Sequence, residues 1–223
     1  MTAPPQVSLA PDVAAVAAVG VLAFDWLVVA EHDPALAAAI AEATAVLRAA
    51  AAPGDAFEAA RAMYRGFGID PTRRRPSSEA LLRRIRKGGD LPRINTLVDV
   101  CNWCSVEVQL PYGLYDLDRV DGDVEVRMGL DGEAYPGIRK DVVHVERRPV
   151  VADCRGAFGN PTSDSARTMV TLATTRALIV VFAPRDAARR RLARVLDLTS
   201  ERVARFTGGV ERLRGVLGPP AAV

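Results

Sequence analysis

Apolar positions along the chain change period twice, and each change predicts a change of element. Val19-Gly20-Val21-Leu22-Ala23-Phe24 is a short unbroken apolar run, the mark of a buried strand rather than an amphipathic helix. Asp33-Pro34 predicts a helix start, with the aspartate as N-cap and the proline in the first turn. The alanine-rich helix that follows, to about Ala52, places Leu36, Ile40, Ala43 and Leu47 on one face. Pro53-Gly54-Asp55 breaks it, and a second helix spans about Ala56 to Phe67 before Gly68-Ile69-Asp70-Pro71.

The helical period returns at Ser77-Ser78-Glu79, which caps a basic helix with Leu81, Leu82 and Ile85 inward and Arg83, Arg84, Arg86 and Lys87 outward. Gly88-Gly89 ends it. A further helix from about Arg93 carries Ile94, Leu97, Val98, Cys101, Ser105 and Val108 at 3.6-residue spacing. From Tyr115 the period falls to two. Asp121-Gly122 and Asp131-Gly132 predict hairpin turns flanking an alternating strand, Asp123–Leu130. Asp141–Glu146, Pro149–Cys154, Arg167–Leu172 and Ala177–Phe182 are further strand candidates, and Arg185–Val223 reads as helices with a break near Asp197–Thr199. Leu192, Val195, Leu196, Val203, Phe206 and Val210 supply its apolar stripe. The expected fold class is α+β, a mostly antiparallel β-sandwich flanked by helices. It forms one compact domain in three zones, residues 1–70, 71–184 and 185–223.

Composition narrows the function classes only a little. With 223 residues, 49% hydrophobic and 25% charged, the chain is not a disordered one. The net charge of +2 gives no strong overall field, although Lys87 and Lys140 are the only lysines among 29 basic residues. The arginines crowded at 185, 189, 190, 191 and 194 read as the solvated face of a capping helix. Three cysteines in no secreted-scaffold spacing point to a reducing, cytoplasmic setting. Val13–Phe24 imitates a signal-peptide core, but nothing basic precedes it, Asp12 opens it and Asp25 interrupts it; no membrane association is expected.

Most motifs that would carry chemistry are incomplete. Cys101-x-x-Cys104 lacks the second pair a structural zinc wants, neither Cys154 nor His144 completes it, and Cys101 falls in an apolar stripe. The two read as buried small hydrophobes, so neither metal nor cofactor is expected. His32 and His144 are the only histidines and no Gly-x-Ser-x-Gly elbow occurs, which argues against a serine or cysteine triad. Lys87-Gly88-Gly89 lacks the ending of a phosphate loop. Asp116, Asp118, Asp121 and Asp123 read as exposed loop acids rather than a metal cluster. Asn95 and Asn102, seven residues apart on one helix with Asp99 between them, share an edge. Either they tie the helix to the sheet or that edge is one wall of a cleft facing the strands.

The centre of the chain is similar to a known family. Leu91-Pro92-Arg93-Ile94-Asn95-Thr96-Leu97-Val98-Asp99-Val100-Cys101-Asn102-Trp103 resembles the RPINNVVDVTNY stretch of the β subunit of phenylalanyl-tRNA synthetase. Pro111-Tyr112-Gly113-Leu114-Tyr115-Asp116 resembles that family's QPLHAFD corner without the histidine. Gly122, Val126-Arg127 and Gly132-Glu133 fall on its G-x-I-x-V-R-x-A-x-x-GE run, while Pro76–Leu82 and Asp164-Ser165-x-Arg167-Thr168 look like freestanding members. The likeness, over about Ser77–Phe182, implies a B3/B4 domain, the editing module that in the synthetase hydrolyses tyrosine from the phenylalanine tRNA. It contains no aminoacylation segment.

The resemblance implies a tRNA partner and hydrolysis of an aminoacyl ester in trans, with water held between protein donors and the ribose and no covalent nucleophile. On that basis Asn102 is expected to position water or substrate. Cys101, Tyr112, Gly113, Asp164 and Arg167 are the expected substrate-binding residues, with Cys101 and the Gly113 corner shaping the pocket and Asp164 and Arg167 either adding polar contacts or pairing to stabilise a loop; Arg74, Arg83, Arg84 and Arg86 are expected at the phosphates. The family's pocket threonine and asparagine correspond to Cys101 and Asn102, and its pocket histidine to Gly113. Its tyrosine-reading glutamate should fall near Leu172–Thr174, where no acid occurs, so an altered pocket for a different acyl group is implied. Two alternatives stand beside this: a non-catalytic RNA-binding module, and an amino-acid or small-molecule binder using the same cleft.

Overall fold

A computed structural model describes residues 3–50, 57–138, 141–187 and 189–218 of the chain. The chain opens with a short strand β1 (Val7–Leu9) and a one-turn helix α1 (Pro11–Ala14), then runs through β2 (Ala17–Asp25). Helices α2 (Pro34–Ala49), α3 (Glu58–Gly66), α4 (Ser77–Arg86) and α5 (Thr96–Val108) follow. Next come strands β3 (Tyr112–Asp116), β4 (Val124–Met128), β5 (Ala134–Pro136), β6 (Val142–His144), β7 (Pro149–Asp153), β8 (Gly156–Gly159) and β9 (Ala177–Pro184). Helix α6 (Arg189–Thr207) and strand β10 (Val210–Leu217) complete the described elements.

Two four-stranded sheets face one another. One has the order β10-β2-β9-β3 and is antiparallel throughout. The other has the order β1-β4-β7-β8, parallel only between β1 and β4, and β5 pairs separately with β6. Val19, Val21 and Ala23 of β2 point between the sheets with Tyr115, Val126, Val151, Phe158 and Val180. Ala18, Leu22 and Phe24 point the other way, onto α2, α4, α5 and α6 through Leu36, Ile40, Leu82, Leu97, Val100, Leu192 and Leu196. A strand covered on both faces has no polar side to alternate with, which is why β2 reads as a continuous apolar run. The expected α+β sandwich is therefore observed, with helices packed on the outer face of one sheet. All three sequence zones contribute to that sheet: β2 from the first, β3 and β9 from the second, β10 from the third.

Several local expectations need correction. The final zone is not helical to its end: α6 runs unbroken through Asp197–Thr199, where the Thr199 hydroxyl donates to the Val195 carbonyl at 2.7 Å. Gly208 (φ 65°) stops α6, and the chain returns as β10 along β2. Arg167–Leu172 is not a strand; Ala166–Thr168 is a 3₁₀ turn whose Arg167 N–H donates to the Ser165 hydroxyl. Gly122 and Gly132 do take left-handed turns (φ 77° and 70°), but these are not hairpins between partners. β4 pairs with β1 and β7, because β3 belongs to the opposite sheet. Strands β1, β5 and β8 have no counterpart among the expected elements, and β3 begins ahead of the expected change of period at Tyr115. Asp116 is buried, accepting from the Thr174 hydroxyl at 2.7 Å, and is not an exposed loop acid. The Pro53-Gly54-Asp55 break and Lys140 lie outside the described residues. Among the described residues no helix is long and apolar enough to cross a membrane.

Candidate functional site

Three local devices set α5 in place. The Asn95 side chain caps it, its Oδ1 accepting from the Val98 N–H at 3.0 Å. The Asp99 carboxylate accepts from the Ile94 N–H at 2.9 Å, and the Thr96 hydroxyl accepts from the Ala30 N–H at 3.1 Å. Burial pushes the Asp99 carboxyl above its usual range, against those hydrogen bonds and the charge of Arg93. At the other end Gln109 adopts a left-handed conformation (φ 57°), and the Ser105 hydroxyl donates to the Leu110 carbonyl at 2.7 Å. The chain thus passes from α5 to β3 within three residues, and the helix and the strand stand side by side.

Between them lies a hollow of about 380 Å³. Val98, Cys101, Asn102 and Ser105, spaced i, i+3, i+4, i+7, form the α5 wall. Tyr112 and Leu114 form the β3 wall, Ser77 and Leu81 come from α4, and Ile94, Ile138, Met169 and Val170 fill in apolar surface. The remaining side is the loop 160–164. Asn160 Oδ1 accepts from the N–H groups of Thr162 and Ser163, while its Nδ2 donates to the Tyr135 hydroxyl at 2.7 Å. Tyr135 donates in turn to the Ser163 carbonyl, and the Tyr64 hydroxyl donates to the Pro161 carbonyl at 3.1 Å. This wall is rigid because its turn is bonded to two buried tyrosines.

The two amides on α5 have therefore separated: Asn95 ties the helix down, and Asn102 lines the hollow. Among the described residues no group hydrogen-bonds the Asn102 side chain. Cys101 also lines it, and burial, followed by the nearby Cys104 and Asp164, pushes its thiol well above the ordinary value. A thiol so held stays protonated and is no nucleophile at neutral pH. Tyr112 lines the hollow with its ring, its hydroxyl sharing a hydrogen bond with the Thr199 hydroxyl at 2.8 Å. Neither Trp103 nor Phe158 plugs the space. Trp103 lies on the opposite side of α5 under Arg202, whose guanidinium is 3.6 Å from the ring centroid. Phe158 meets Tyr115 edge-on between the sheets at 4.9 Å.

Other expected site residues lie elsewhere. Gly113 is not in the lining: alternate residues of β3 face opposite ways, so with Tyr112 and Leu114 toward the hollow, Gly113 and Tyr115 face the space between the sheets. A histidine at position 113 would point there too. Arg167 is likewise outside, donating to both oxygens of Asp153 (2.8 and 2.9 Å) and to the Arg119 carbonyl. Asp164 does line the hollow, so the two polar members of that motif diverge. Arg74 lines a smaller hollow behind loop 160–163, beside Tyr64 and Arg148. Arg83, Arg84 and Arg86 are outside the lining; Arg83 is bonded to Glu79 at 2.7 Å and Arg84 to the Asp90 carbonyl at 2.6 Å. Cys104 is buried in the helical core, and among the described residues no group of three or more His, Cys, Asp or Glu could hold a metal ion. Sequence reasoning missed the 160–163 wall, although Asn160-Pro161-Thr162-Ser163 is a cluster of turn-forming residues.

The family model described as "B3/4 domain" matches residues 59–216. The chain belongs to the B3/4 domain family. The match exceeds the Ser77–Phe182 stretch that carried the resemblance, taking in all but the first residue of α3, the whole of α6 and most of β10. The chain is similar to the phenylalanine--tRNA ligase β subunit of Bartonella henselae, at 30% identity over 137 residues, 60% of this chain and 17% of that one. It is similar to the same subunit of Streptomyces avermitilis, at 31% over 151 residues, 66% of this chain and 18% of that one. It thus spans less than a fifth of these curated relatives. An N-terminal fragment of the phenylalanyl-tRNA synthetase β subunit from Pyrococcus horikoshii shares the fold. It gives a TM-score of 0.50 at 12% identity, covering 98% of this chain and 57% of that one.

Much of this B3/4 domain's recognisable motif is structural. Arg127 on β4 donates through both terminal nitrogens to Glu133 at 2.8 Å. Glu133 also accepts from the N–H groups of Leu130 and Ala157, which joins β4, the following turn and β8. That one fork accounts for the spacing of Val126-Arg127 and Gly132-Glu133.

Proposed function

We propose that this B3/4 domain is an aminoacyl-tRNA deacylase acting in trans, which admits the acyl group and terminal ribose of a mischarged tRNA into the α5–β3 hollow. The observation that carries this reading is the Asn102 amide, set in the wall of an open hollow and uncommitted to any described protein group. The volume, about 380 Å³, lies in the range of small-ligand sites. Family membership and similarity to a tRNA ligase subunit support a tRNA-linked substrate.

In this mechanism water attacks the ester carbonyl, the bond to the ribose oxygen breaks, and that oxygen takes up a proton. Asn102 offers both a donor and an acceptor to hold the water or the carbonyl. Cys101 contributes shape, not a covalent step. Leu81, Val98, Leu114 and Val170 suit an apolar acyl side chain. Leu172–Thr174, the stretch expected to hold a tyrosine-reading acid, carries none and lies outside the lining, so tyrosine is not the proposed acyl group. Arg84 lies one helical turn beyond Leu81 on the stripe of α4 that reaches the hollow, and exposed Arg93 adjoins Ile94 of the lining. These two are the proposed phosphate contacts.

A panel of mischarged tRNAs incubated with the purified protein tests this, with Asn102→Ala as control. Turnover of some members, lost in the control, is expected. Salt-sensitive tRNA binding without turnover would replace the deacylase by an RNA-binding module. Indifference to tRNA with stabilisation by free amino acids would replace it by a small-molecule binder.

A further inference from the structure

Six of the nine exposed large hydrophobic residues among the described residues gather around the end of the first sheet where β2 stops and β9 starts: Trp26, Val28, Ile94, Met169, Leu172 and Val210. Backbone pairing joins their segments. The Leu27 N–H donates to the Thr175 carbonyl at 2.9 Å and the Val28 N–H to the Thr207 carbonyl at 2.8 Å, while Val210 is the strand partner of Asp25. Ala30 and Thr96 exchange two hydrogen bonds at the start of α5, beside Ile94. Four residues separate Trp26 from Ala30, so at most about 14 Å does. Leu27 and Val29 are buried in the core between Trp26 and Val28, so this segment is apolar on its solvent side as well. Trp26 is the sharpest case. It is 51% exposed at φ 57°, a backbone conformation that a bulky side chain adopts only under strain. The Arg212 guanidinium, 3.4 Å from buried Asp25, lies 5.4 Å from its ring centroid. Ile94 and Met169 are the exposed apolar members of the hollow's own lining, which makes the surface continuous with the site.

We infer that this surface is the platform on which the unpaired terminal bases of the tRNA stack, with Trp26 against a base and Ile94 and Met169 against the nucleoside that carries the ester. A contiguous exposed apolar surface marks an interaction site. Unpaired bases offer bare π-faces, and aromatic side chains interleaved with arginines hold them whatever their sequence. Arg212 at Trp26 and exposed Arg93 next to Ile94 supply that interleaving. Continuity with the hollow favours RNA over a lipid surface or a second copy of the chain. The acyl group and the terminal nucleoside are covalently joined, so a ligand filling the hollow must lay its nucleotides across the mouth. The inference rests on the deacylase reading for the identity of the ligand, and it goes further by assigning the bases a binding surface.

The test uses the intrinsic fluorescence of the wild-type chain, which has two tryptophans, Trp26 exposed and Trp103 buried. A single-stranded RNA oligonucleotide ending in CCA is expected to quench it saturably, and the same sequence annealed to its complement is not. No quenching, or equal quenching by both forms, overturns the inference. So does a dimer in sedimentation that Trp26→Ala dissociates while the oligonucleotide leaves the fluorescence unchanged, which would give the surface to a second copy. Kinetics supply an independent readout. Trp26→Ala is expected to raise KM for an aminoacyl-tRNA by about 10-fold with kcat held, and Trp26→Tyr to keep most of the affinity. The methyl ester of the same amino acid, which has no base, should be hydrolysed equally by all three chains. An unchanged KM in Trp26→Ala overturns the inference while leaving the deacylase reading intact. Failure on every charged tRNA would remove the deacylase reading, and the oligonucleotide titration would still decide the role of Trp26.

Discussion

The hydroxyl of Tyr115 occupies the space that a side chain at Gly113 would need: a Cβ built on Gly113 would lie 2.1 Å from it. The two residues are i and i+2 on β3, so they face the same way, and the tyrosine ring folds back along the strand. Gly159 on β8 meets the same ring from the opposite sheet, where a Cβ would fall 2.3 Å from it. Position 113 is thus a packing position between the sheets, with its glycine enforced by Tyr115.

Gly113→Ala should destabilise the protein by about 1–3 kcal/mol, the usual cost of overpacking. Tyr115→Leu, which withdraws the ring, should make the same alanine nearly neutral. A double-mutant cycle by urea denaturation measures this directly. Strictly additive effects would mean that the ring does not set the glycine.

The two amides of α5 should fail in opposite ways. Asn95→Ala removes the cap and should cost about 1 kcal/mol of stability, with deacylation by the folded fraction unchanged. Asn102→Ala should leave the melting temperature in place and lower kcat/KM by roughly 100-fold, the scale for losing one positioned donor. Melting curves and single-turnover deacylation on the two variants separate the roles; a shared phenotype would mean that Asn102 is structural after all.

How far a one-dimensional pattern reaches is plain from the same elements. β2, α2 and α5 were readable because their burial is decided locally: an unbroken apolar run, an Asp-Pro cap and a 3.6-residue stripe each carry their own signal. β10 was not, because its residues, half-buried or exposed, carry no clean alternation, and what makes Val210–Leu217 a strand is the open edge of β2, nearly two hundred residues away. The site divides in the same way. Asn102 and Cys101 could be placed on one helix face from spacing alone. That Gly113 faces away, or that Arg167 turns to Asp153 on another strand, depends on which sheet β3 joins, a fact held by tertiary pairing.

The Arg127–Glu133 fork predicts an acid limb of stability. The hydrogen bonds from Arg127, against the cost of burial, bring the Glu133 carboxyl down from 4.5 to about 2. Between those values the unfolded chain binds more protons than the folded one, so stability falls as pH falls. The contribution is complete above about pH 4.5 and gone once the folded group is protonated near pH 2. Glu133 is only 13% exposed, and the shift corresponds to about 3 kcal/mol. Urea midpoints measured from pH 2 to 7 should drop less steeply on acidification in Glu133→Gln, which starts from a lower plateau. An unchanged acid slope would place the proton uptake on other carboxyls.

The arginines should sort by what they already hold. Arg84 and Arg93 are exposed beside the hollow and are held mainly by backbone carbonyls, Asp90 for Arg84 and Ala37 for Arg93, with Asp99 at 3.8 Å from Arg93, so Arg84→Gln or Arg93→Gln should weaken tRNA binding and reduce the slope of log affinity against log salt by about 1 each. Arg83 shares the buried carboxylate of Glu79 with Arg61, and it should alter the slope less. Arg167→Gln should leave the slope alone and instead cost about 3–5 kcal/mol of stability, because the fully buried Asp153 carboxylate loses its cation and keeps only the N–H groups of Asp121 and Arg155. Filter binding over a range of salt, paired with denaturation of each variant, reads both quantities. A reduced salt slope in Arg167→Gln with stability intact would move the RNA path to the Arg167–Asp153 pair and away from the α5–β3 hollow.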